Sequence, residues 1–198
     1  MSKIKLTKNE LKRQKDSLKR FERYLPTLQL KKQQLQMVIR QVERNRQDKI
    51  KEQDKFSKEL EKWIDVFGEN AELEKLIQVK EILTEMGNIA GVDIPVFNGI
   101  TFEEPPYNLF DKPLWIDKGI IALKSAAALD AEIKILEEQS ALLGEELRIT
   151  TQRVNLFEKV KIPETRENIR IIRIYLGDQQ TAAVVRGKIA KNNIVRVR

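Results

Sequence analysis

The sequence predicts an all-α fold, a long antiparallel helical hairpin that forms a left-handed coiled coil and carries a small β-hairpin insert at its centre. Three observations support this. A heptad pattern runs through the first third of the 198-residue chain, and a second apolar pattern runs through its last part. Several of the 8 Gly and 6 Pro fall between Gly87 and Pro113. Two long segments with few helix breakers therefore flank a region that is rich in them.

The first apolar pattern keeps one heptad frame from Leu11 to Phe67. Twelve of its seventeen core positions are apolar, and a 3.5-residue repeat holds one helix face against a partner under left-handed supercoiling. The seam positions that this frame predicts are Leu11, Gln14, Leu18, Phe21, Leu25, Leu28, Lys32, Leu35, Ile39, Val42, Arg46, Lys49, Gln53, Phe56, Leu60, Trp63 and Phe67.

Two features interrupt this seam. Arg46, Lys49 and Gln53 form a polar patch, where we expect either looser packing or contact with another element. Pro26 lies inside the helix, where it removes one backbone hydrogen bond and crowds the preceding turn. Because the seam keeps its phase on both sides of Pro26, the sequence predicts a bend rather than a break.

The middle of the chain predicts a short helix followed by a β-hairpin. Apolar residues at helical intervals predict the helix over residues 71–86. In Val92–Phe102, β-branched and aromatic residues flank Asn98-Gly99, a dipeptide that favours a type I′ turn. A two-stranded hairpin is marginal alone, so we expect it to lean on the helices.

The second long segment starts near Pro113, and its seam advances by alternating steps of three and four residues. Pro163 is expected to bend or reset this helix, so that Ile169 and Ile172 continue in a shifted phase. The predicted seam positions are Ala122, Ala126, Leu129, Ile133, Leu136, Ser140, Leu143, Leu147, Thr150, Val154 and Phe157. The predicted organisation is one elongated domain with an N-terminal coiled-coil helix over 1–67, an insert over 68–112 and a C-terminal coiled-coil helix over 113–198.

Composition argues against most enzyme chemistry. The chain has 37 Lys and Arg, 30 Asp and Glu, no His and no Cys. Without Cys there is no thiolate nucleophile and no Cys-ligated metal, and without His the commonest general base is missing. Catalysis by paired carboxylates is conceivable, but only the abundance of acidic residues favours it. We therefore expect no catalytic, cofactor-binding or metal-binding residues.

The charge is unevenly distributed along the chain. The net charge is +10 over residues 1–62, −10 over 63–150 and +7 over 151–198. An antiparallel hairpin would bring the two basic ends to one tip and send the acidic part to the other. No apolar run approaches the ~20 residues that span a bilayer, and the first residues lack a signal-peptide apolar region. We expect a cytoplasmic protein without a membrane span.

Both ends of the sequence and its insert resemble the D subunits of V-type and archaeal-type rotary ATPases, and the resemblance covers nearly the whole chain. The matching N-terminal positions are Thr7, Lys8, Leu11, Lys15, Leu18, Leu28, Lys31 and Leu35. The matching C-terminal positions are Arg153, Val154, Asn155, Glu158, Ile162, Pro163, Ile169 and Leu176. Ile94-Pro95-Val96-Phe97 is similar to the short central insert of that family.

The resemblance implies a central rotor shaft that catalyses no reaction itself. Such a shaft transmits torque between the hexamer that hydrolyses or synthesises ATP and the membrane ring that moves protons or sodium ions. The partners implied are the catalytic and non-catalytic subunits of the hexamer, a small second stalk subunit, and the coupling subunit above the ring. No cofactor is implied, and the complex would hold this chain at the periphery of the membrane.

Two groups of candidate partner-binding residues follow. Those expected at the hexamer tip are Lys3, Lys5, Lys8, Lys12, Arg13, Arg186, Lys188, Lys191, Arg196 and Arg198. Those expected to bind the small stalk subunit are Arg153, Asn155, Glu158, Val96 and Phe97. The alternatives are solvated helix surface at these positions or, for the whole chain, a basic coiled-coil adaptor or nucleic-acid-binding scaffold. A basic tip suits nucleic acid, but no aromatic residues are interleaved with its charges.

Overall fold

A computed structural model describes residues 4–63, 76–103, 105 and 112–196. It contains long helices and one two-stranded antiparallel sheet, which confirms the predicted fold class. The elements in chain order are α1 (Lys8–Leu60), β1 (Gln78–Ile89), β2 (Val92–Glu103), α2 (Ile116–Asn155), the π-helix (Leu156–Lys161) and α3 (Ile162–Arg196).

Helix α1 begins at a side-chain cap. The backbone N–H of Glu10 donates to Thr7 Oγ1 at 3.2 Å, and the N–H of Leu11 donates to the Thr7 carbonyl at 3.0 Å. Threonine is a favoured N-cap because its hydroxyl satisfies a backbone donor that the first turn leaves unpaired. The helix then continues through Pro26 to Leu60 without a break, as expected.

The chain divides into two compact units. One unit comprises Met1–Lys32 and Ile149–Arg198, and the other comprises Gln33–Arg148. Residues 8–32 of α1 belong to the first unit and residues 33–60 to the second.

The core of the second unit joins the hairpin to both helices. Leu35 and Val42 of α1, Ile94 of β2 and Leu143 of α2 form one buried apolar cluster. A hydrogen bond fixes the hairpin further, because Gln139 Nε2 donates to the Pro95 carbonyl at 2.5 Å. The hairpin leans on the helices, as its marginal stability alone requires.

Interhelical ion pairs occupy the polar patch of the α1 seam. Arg46 Nη1 lies 2.9 Å from Glu137 Oε1, and Lys49 Nζ lies 3.0 Å from Glu132 Oε2. As the residue number rises on α1 it falls on α2, so the two helices pack antiparallel in this unit. The expected contact with another element is confirmed, and α2 supplies it.

The seam predictions are confirmed by burial. Every described position of the first predicted seam, from Leu11 to Trp63, is buried or half-buried, and so is every position of the second, from Ala122 to Phe157. Phe67 lies outside the described residues.

The predicted helix over residues 71–86 is wrong for residues 78–86, which belong to strand β1. Residues 71–75 lie outside the described part of the chain. The segment pairs with β2 from Gln78↔Glu103 to Ile89↔Val92, so its backbone groups find cross-strand partners. Pairing of 12-residue strands outweighs the helical spacing of Leu76, Ile77 and Leu83, since propensity is a weak prior.

The predicted turn at Asn98-Gly99 is also wrong. The chain reverses at Ala90-Gly91, whose φ angles of 54° and 75° are the positive pair that a type I′ turn needs. Asn98 is instead the extra residue of a β-bulge, between the pairs Leu83↔Gly99 and Thr84↔Phe97. Asn-Gly suits both features because glycine adopts unusual φ values, such as the 150° of Gly99.

The first unit contains the π-helix and the whole of α3. The rings of Phe21 and Phe157 lie 5.2 Å apart, and Glu22 Oε1 lies 2.8 Å from Arg166 Nη2. Ile169 and Ile172 of α3 are buried.

The π-helix shifts the seam by one residue. Steps of three and four from Phe157 would place the next seam positions at 161, 164, 168 and 171, but the buried residues are Ile162, Thr165, Ile169 and Ile172. The N–H of Ile162 donates to the Phe157 carbonyl five residues back, which is the wider turn that inserts one residue. The predicted shifted phase beyond Pro163 is therefore confirmed.

Candidate partner-binding surfaces

The basic residues predicted at the hexamer tip lie near the two ends of the described chain. Lys5, Lys8, Lys12 and Arg13 are exposed at the start of the chain, and Arg13 Nη1 lies 3.9 Å from Glu10 Oε2. The exposed side chains at the other end belong to Arg186, Lys188 and Lys191 of α3. Lys3 and Arg198 lie outside the described residues, and Arg196 is the last residue of α3. Within the described chain, no hydrogen bond or ion pair joins the two groups.

The last part of α3 carries no packed face. Leu176 is half-buried, and every described side chain from Gly177 to Val195 is exposed. Its large apolar side chains point in different directions around the helix, since neighbouring residues are separated by about 100°. They are Val184, Val185, Ile189, Ile194 and Val195. Exposed apolar side chains gain free energy when another protein covers them.

The residues predicted for the stalk subunit lie in both units, and we describe each group separately. In the first unit, Arg153, Asn155 and Glu158 are exposed beside the seam residue Val154, which is buried. The adjoining π-helix adds exposed apolar surface at Leu156 and Val160. This group therefore combines polar and apolar side chains that a protein partner could cover.

In the second unit, Val96 is 37% exposed and Phe97 is half-buried, both on β2. The Cγ2 atom of Val96 would lie 2.9 Å from a Cβ added at Gly87, so glycine leaves room for this cross-strand contact. The hairpin has further exposed apolar side chains on β1, namely Val79, Ile82, Leu83, Met86 and Ile89.

Arginine–glutamate pairs along the helices account for the main carboxylate pKa shifts. The hydrogen bond from Arg46 lowers the pKa of Glu43 below its usual value, and Arg148 does the same for Glu145. Arg170 likewise lowers the pKa of Glu167. These shifts hold the three carboxylates ionised, and none of them poises a group for proton transfer near neutral pH.

The part of the chain that the structure describes contains no cluster of three or more His, Cys, Asp or Glu residues suited to a metal ion. No helix in that part combines the length and apolar character that crossing a membrane requires.

A second buried stripe on α2 was missed by the seam analysis. Ala131, Ile135 and Gln139 are buried at four-residue intervals, and Gln139 contacts the hairpin. Two of the three are apolar in the sequence and lie outside the predicted seam, which was the available signal. A helix that is covered on two sides needs this wider apolar surface.

Comparisons with known proteins give one family. The family model for the D subunit of ATP synthase matches residues 10–192. The V-type ATP synthase D subunit of Borreliella burgdorferi is 56% identical over 99% of this chain and 97% of its own length. The protein of the same name from Chlamydia abortus is 31% identical over 98% of this chain and 94% of its own. For Chlamydia pneumoniae the identity is 33%, over 96% of this chain and 93% of the relative. The chain belongs to the family of ATP synthase D subunits.

Proposed function

We propose that this chain is the central rotor shaft of a V/A-type rotary ATPase, which transmits torque between the ATP-hydrolysing or ATP-synthesising hexamer and the membrane ion-translocating ring. The observation that carries this proposal is the match to the D subunits of V-type ATP synthases over nearly the full length of both chains. The helical structure supports it, because the seam positions of the long helices are buried or half-buried within each unit, as the core of a coiled-coil shaft requires.

The proposed role is mechanical and non-catalytic. The chain has no His and no Cys, and its shifted carboxylates are paired with arginines along helix surfaces. Nucleotide chemistry would belong to the hexamer subunits that surround the shaft. The alternative of a basic coiled-coil scaffold or nucleic-acid binder is not favoured, since the family match covers nearly the entire chain.

The end of the shaft that enters the hexamer would include the last turns of α3. Their apolar side chains are spread over more than half of the helix circumference, so a surrounding collar of subunits would cover them better than a flat partner. Exposed cations such as Arg186, Lys188 and Lys191 add weak contacts of about 0–1 kcal/mol each, which rotation can break and remake. We place the first-helix cations of the hexamer-tip group at the same end.

The small stalk subunit would bind the surface of Arg153, Asn155 and Glu158, with Val96 and Phe97 as a second contact. Exposed Leu156 and Val160 beside the first group supply the apolar surface that a stable interface needs. The acidic central part of the chain would face the coupling subunit above the ring. In this arrangement the chain lies on the cytoplasmic side of the membrane as part of the complex.

A rotation assay tests the proposed function. Because the chain has no Cys, Glu81→Cys on exposed β1 creates a unique attachment point for a bead on the assembled complex. With the hexamer immobilised, ATP should make the bead turn in one direction, and ATP with an inhibitor of hydrolysis should not. Failure of the tagged chain to co-purify with any ATP-hydrolysing hexamer would overturn the proposal.

A further inference from the structure

Five basic residues form a straight row on the exposed surface of α1 in the first unit. Steps of three or four residues keep them within an arc of about 80° along about 22 Å of helix. All five side chains are exposed. We call this row the basic stripe, and its members are Lys8, Lys12, Lys15, Lys19 and Arg23.

The basic stripe has no ion-pair partner among the described residues, although carboxylates lie nearby. Glu10 forms an ion pair with Arg13, and Glu22 forms one with Arg166. Asp16 lies at the edge of the stripe and forms no ion pair with it.

On the other described helix surfaces of this chain, several exposed cations pair with a carboxylate three or four residues away, at 2.9 Å for Lys51 and Asp48 and 2.6 Å for Arg170 and Glu167, although Arg40, Arg44 and Lys55 do not. The same arrangement joins Arg148 with Glu145 and Lys134 with Asp130.

The spacing within the stripe disfavours the isolated helix. Lys8 and Lys12 are four residues apart, as are Lys15 and Lys19, and Lys19 and Arg23. Like charges at this spacing destabilise a helix by mutual repulsion. Arg40 and Arg44 show this spacing as a single pair, whereas the stripe repeats it along five residues without a compensating contact in the described fold, which points to a function for the surface.

We propose that the basic stripe is a docking surface for a row of carboxylates on a protein subunit that lies alongside α1. This inference rests on the proposed function and deepens it. It extends the predicted contact beyond the hexamer tip to Lys15, Lys19 and Arg23, and it assigns the partner surface an acidic character. A row of exposed charges makes many weak, salt-sensitive contacts and no deep pocket, which suits a partner that must be released repeatedly.

The test neutralises the new part of the stripe. The variant Lys15→Gln/Lys19→Gln/Arg23→Gln removes three charges and keeps good helix formers. Its matched control, Arg40→Gln/Arg44→Gln/Lys55→Gln, removes three exposed charges from the same helix outside the stripe, at positions with no ion pair among the described residues. Circular dichroism should show that both variants keep the helix content of the wild-type chain.

The readout is the affinity of each full-length chain for the ATPase complex lacking this subunit, measured at several salt concentrations. We expect the stripe variant to bind at least tenfold more weakly than wild type at low salt and to show a flatter dependence on salt. The control should change by less than about threefold. Equal affinity and equal salt dependence for the two variants would overturn the proposal.

Two further measurements distinguish other ligands of the stripe from a protein partner, and failure of the stripe from failure of the proposed function. One contrary outcome is that the stripe variant loses binding to duplex DNA or to vesicles containing phosphatidylglycerol but still assembles with the complex as well as wild type does. That result would also overturn the proposal of an acidic protein partner. If the wild-type chain fails to bind the ATPase complex at all, the proposed function fails with the stripe. If the wild type binds and the stripe variant binds equally, only the stripe fails.

Discussion

Thr150 is a buried polar residue in an otherwise apolar stretch of the α2 seam. Its side chain is 1% exposed, and its Oγ1 atom finds no hydrogen-bond partner among the described residues. Thr150→Val keeps the branched shape and removes the unpaired hydroxyl, so we expect the free energy of unfolding to rise by about 1 kcal/mol. Urea denaturation of both chains measures this.

Thr165→Val is the matched control for that change. Thr165 is also buried in the same unit, but its Oγ1 atom donates to the Lys161 carbonyl at 2.6 Å. Losing an existing hydrogen bond should lower the free energy of unfolding by about 1 kcal/mol. A loss of stability in the Thr150 variant equal to that in the Thr165 variant would contradict the assignment of an unpaired hydroxyl.

Lys49 gives the interhelical patch a dependence on alkaline pH. The hydrogen bond with Glu132 raises the pKa of Lys49 above its ordinary 10.5, so the folded state binds this proton more tightly than the unfolded state. The stabilisation is complete below pH 10.5 and is lost as the pH rises through the raised value. We expect the stability difference between wild type and Lys49→Gln to be constant near neutral pH and to shrink in alkali.

Lys51→Gln serves as the comparison in the same titration. Lys51 pairs with Asp48 within one turn of α1, and both side chains are about 70% exposed, so the pair contributes little. A pH profile for Lys49→Gln that matched that of Lys51→Gln would argue against a special role for the interhelical pair.

At the level of elements, the π-helix acts as a one-residue insertion. It moves the buried positions from the frame of Phe157 to that of Ile162, and Pro163 follows directly. Deleting Val160, together with Pro163→Ala, should give a continuous α-helix in which the same side chains stay buried. We expect the free energy of unfolding to stay within about 1 kcal/mol of wild type, because no apolar burial is lost.

Inserting one alanine after Val160 is the opposite change. It would turn Ile169 and Ile172 away from the seam, and exposing two such side chains costs about 3 kcal/mol or more. Thermal unfolding of both variants decides between these expectations. A deletion as harmful as the insertion would mean that the π-helix is needed for its own shape.

The strands and the turn of the hairpin were only partly predictable from the sequence. The residues of Val92–Phe102 predicted a complete hairpin that rests on the helices, but they form only its second strand. Strand β1 was assigned to a helix because Lys80 and Leu83 continue the helical spacing of Leu76 and Ile77, and because β1 also contains Glu and Met, which favour helices. Asn98-Gly99 was a true backbone irregularity, and its type depended on the cross-strand register, a tertiary property.

For the whole molecule, the seams and the charge pattern were readable from the sequence because both follow directly from helix periodicity. The polar patch at Arg46 and Lys49 was also visible, although its partners Glu132 and Glu137 could not be identified without the pairing of the helices. The burial of Ala131, Ile135 and Gln139 on α2 could not be predicted, because it depends on the position of the hairpin, which the sequence did not indicate.

Removing residues 187–198 tests whether the end of the chain is needed for assembly with the hexamer and not for folding. The described side chains of that segment are exposed, so the melting temperature of the isolated chain should fall by less than about 2 °C. Assembly with the hexamer, or coupling of ATP hydrolysis to rotation, should be strongly impaired. A truncated chain that unfolds at a much lower temperature would show that these residues contribute to the folded core.

The unpacked end of α3 also determines where amide protons exchange. A helical segment of about twenty residues that gains nothing from packing is marginal in water, so its amides should exchange with solvent almost freely while those near Ile172 are protected. Enclosure by partner subunits would order the segment and slow that exchange. The entropy lost in ordering would then moderate the affinity of the partners, and the exchange rate of residues 177–195 would report on assembly directly.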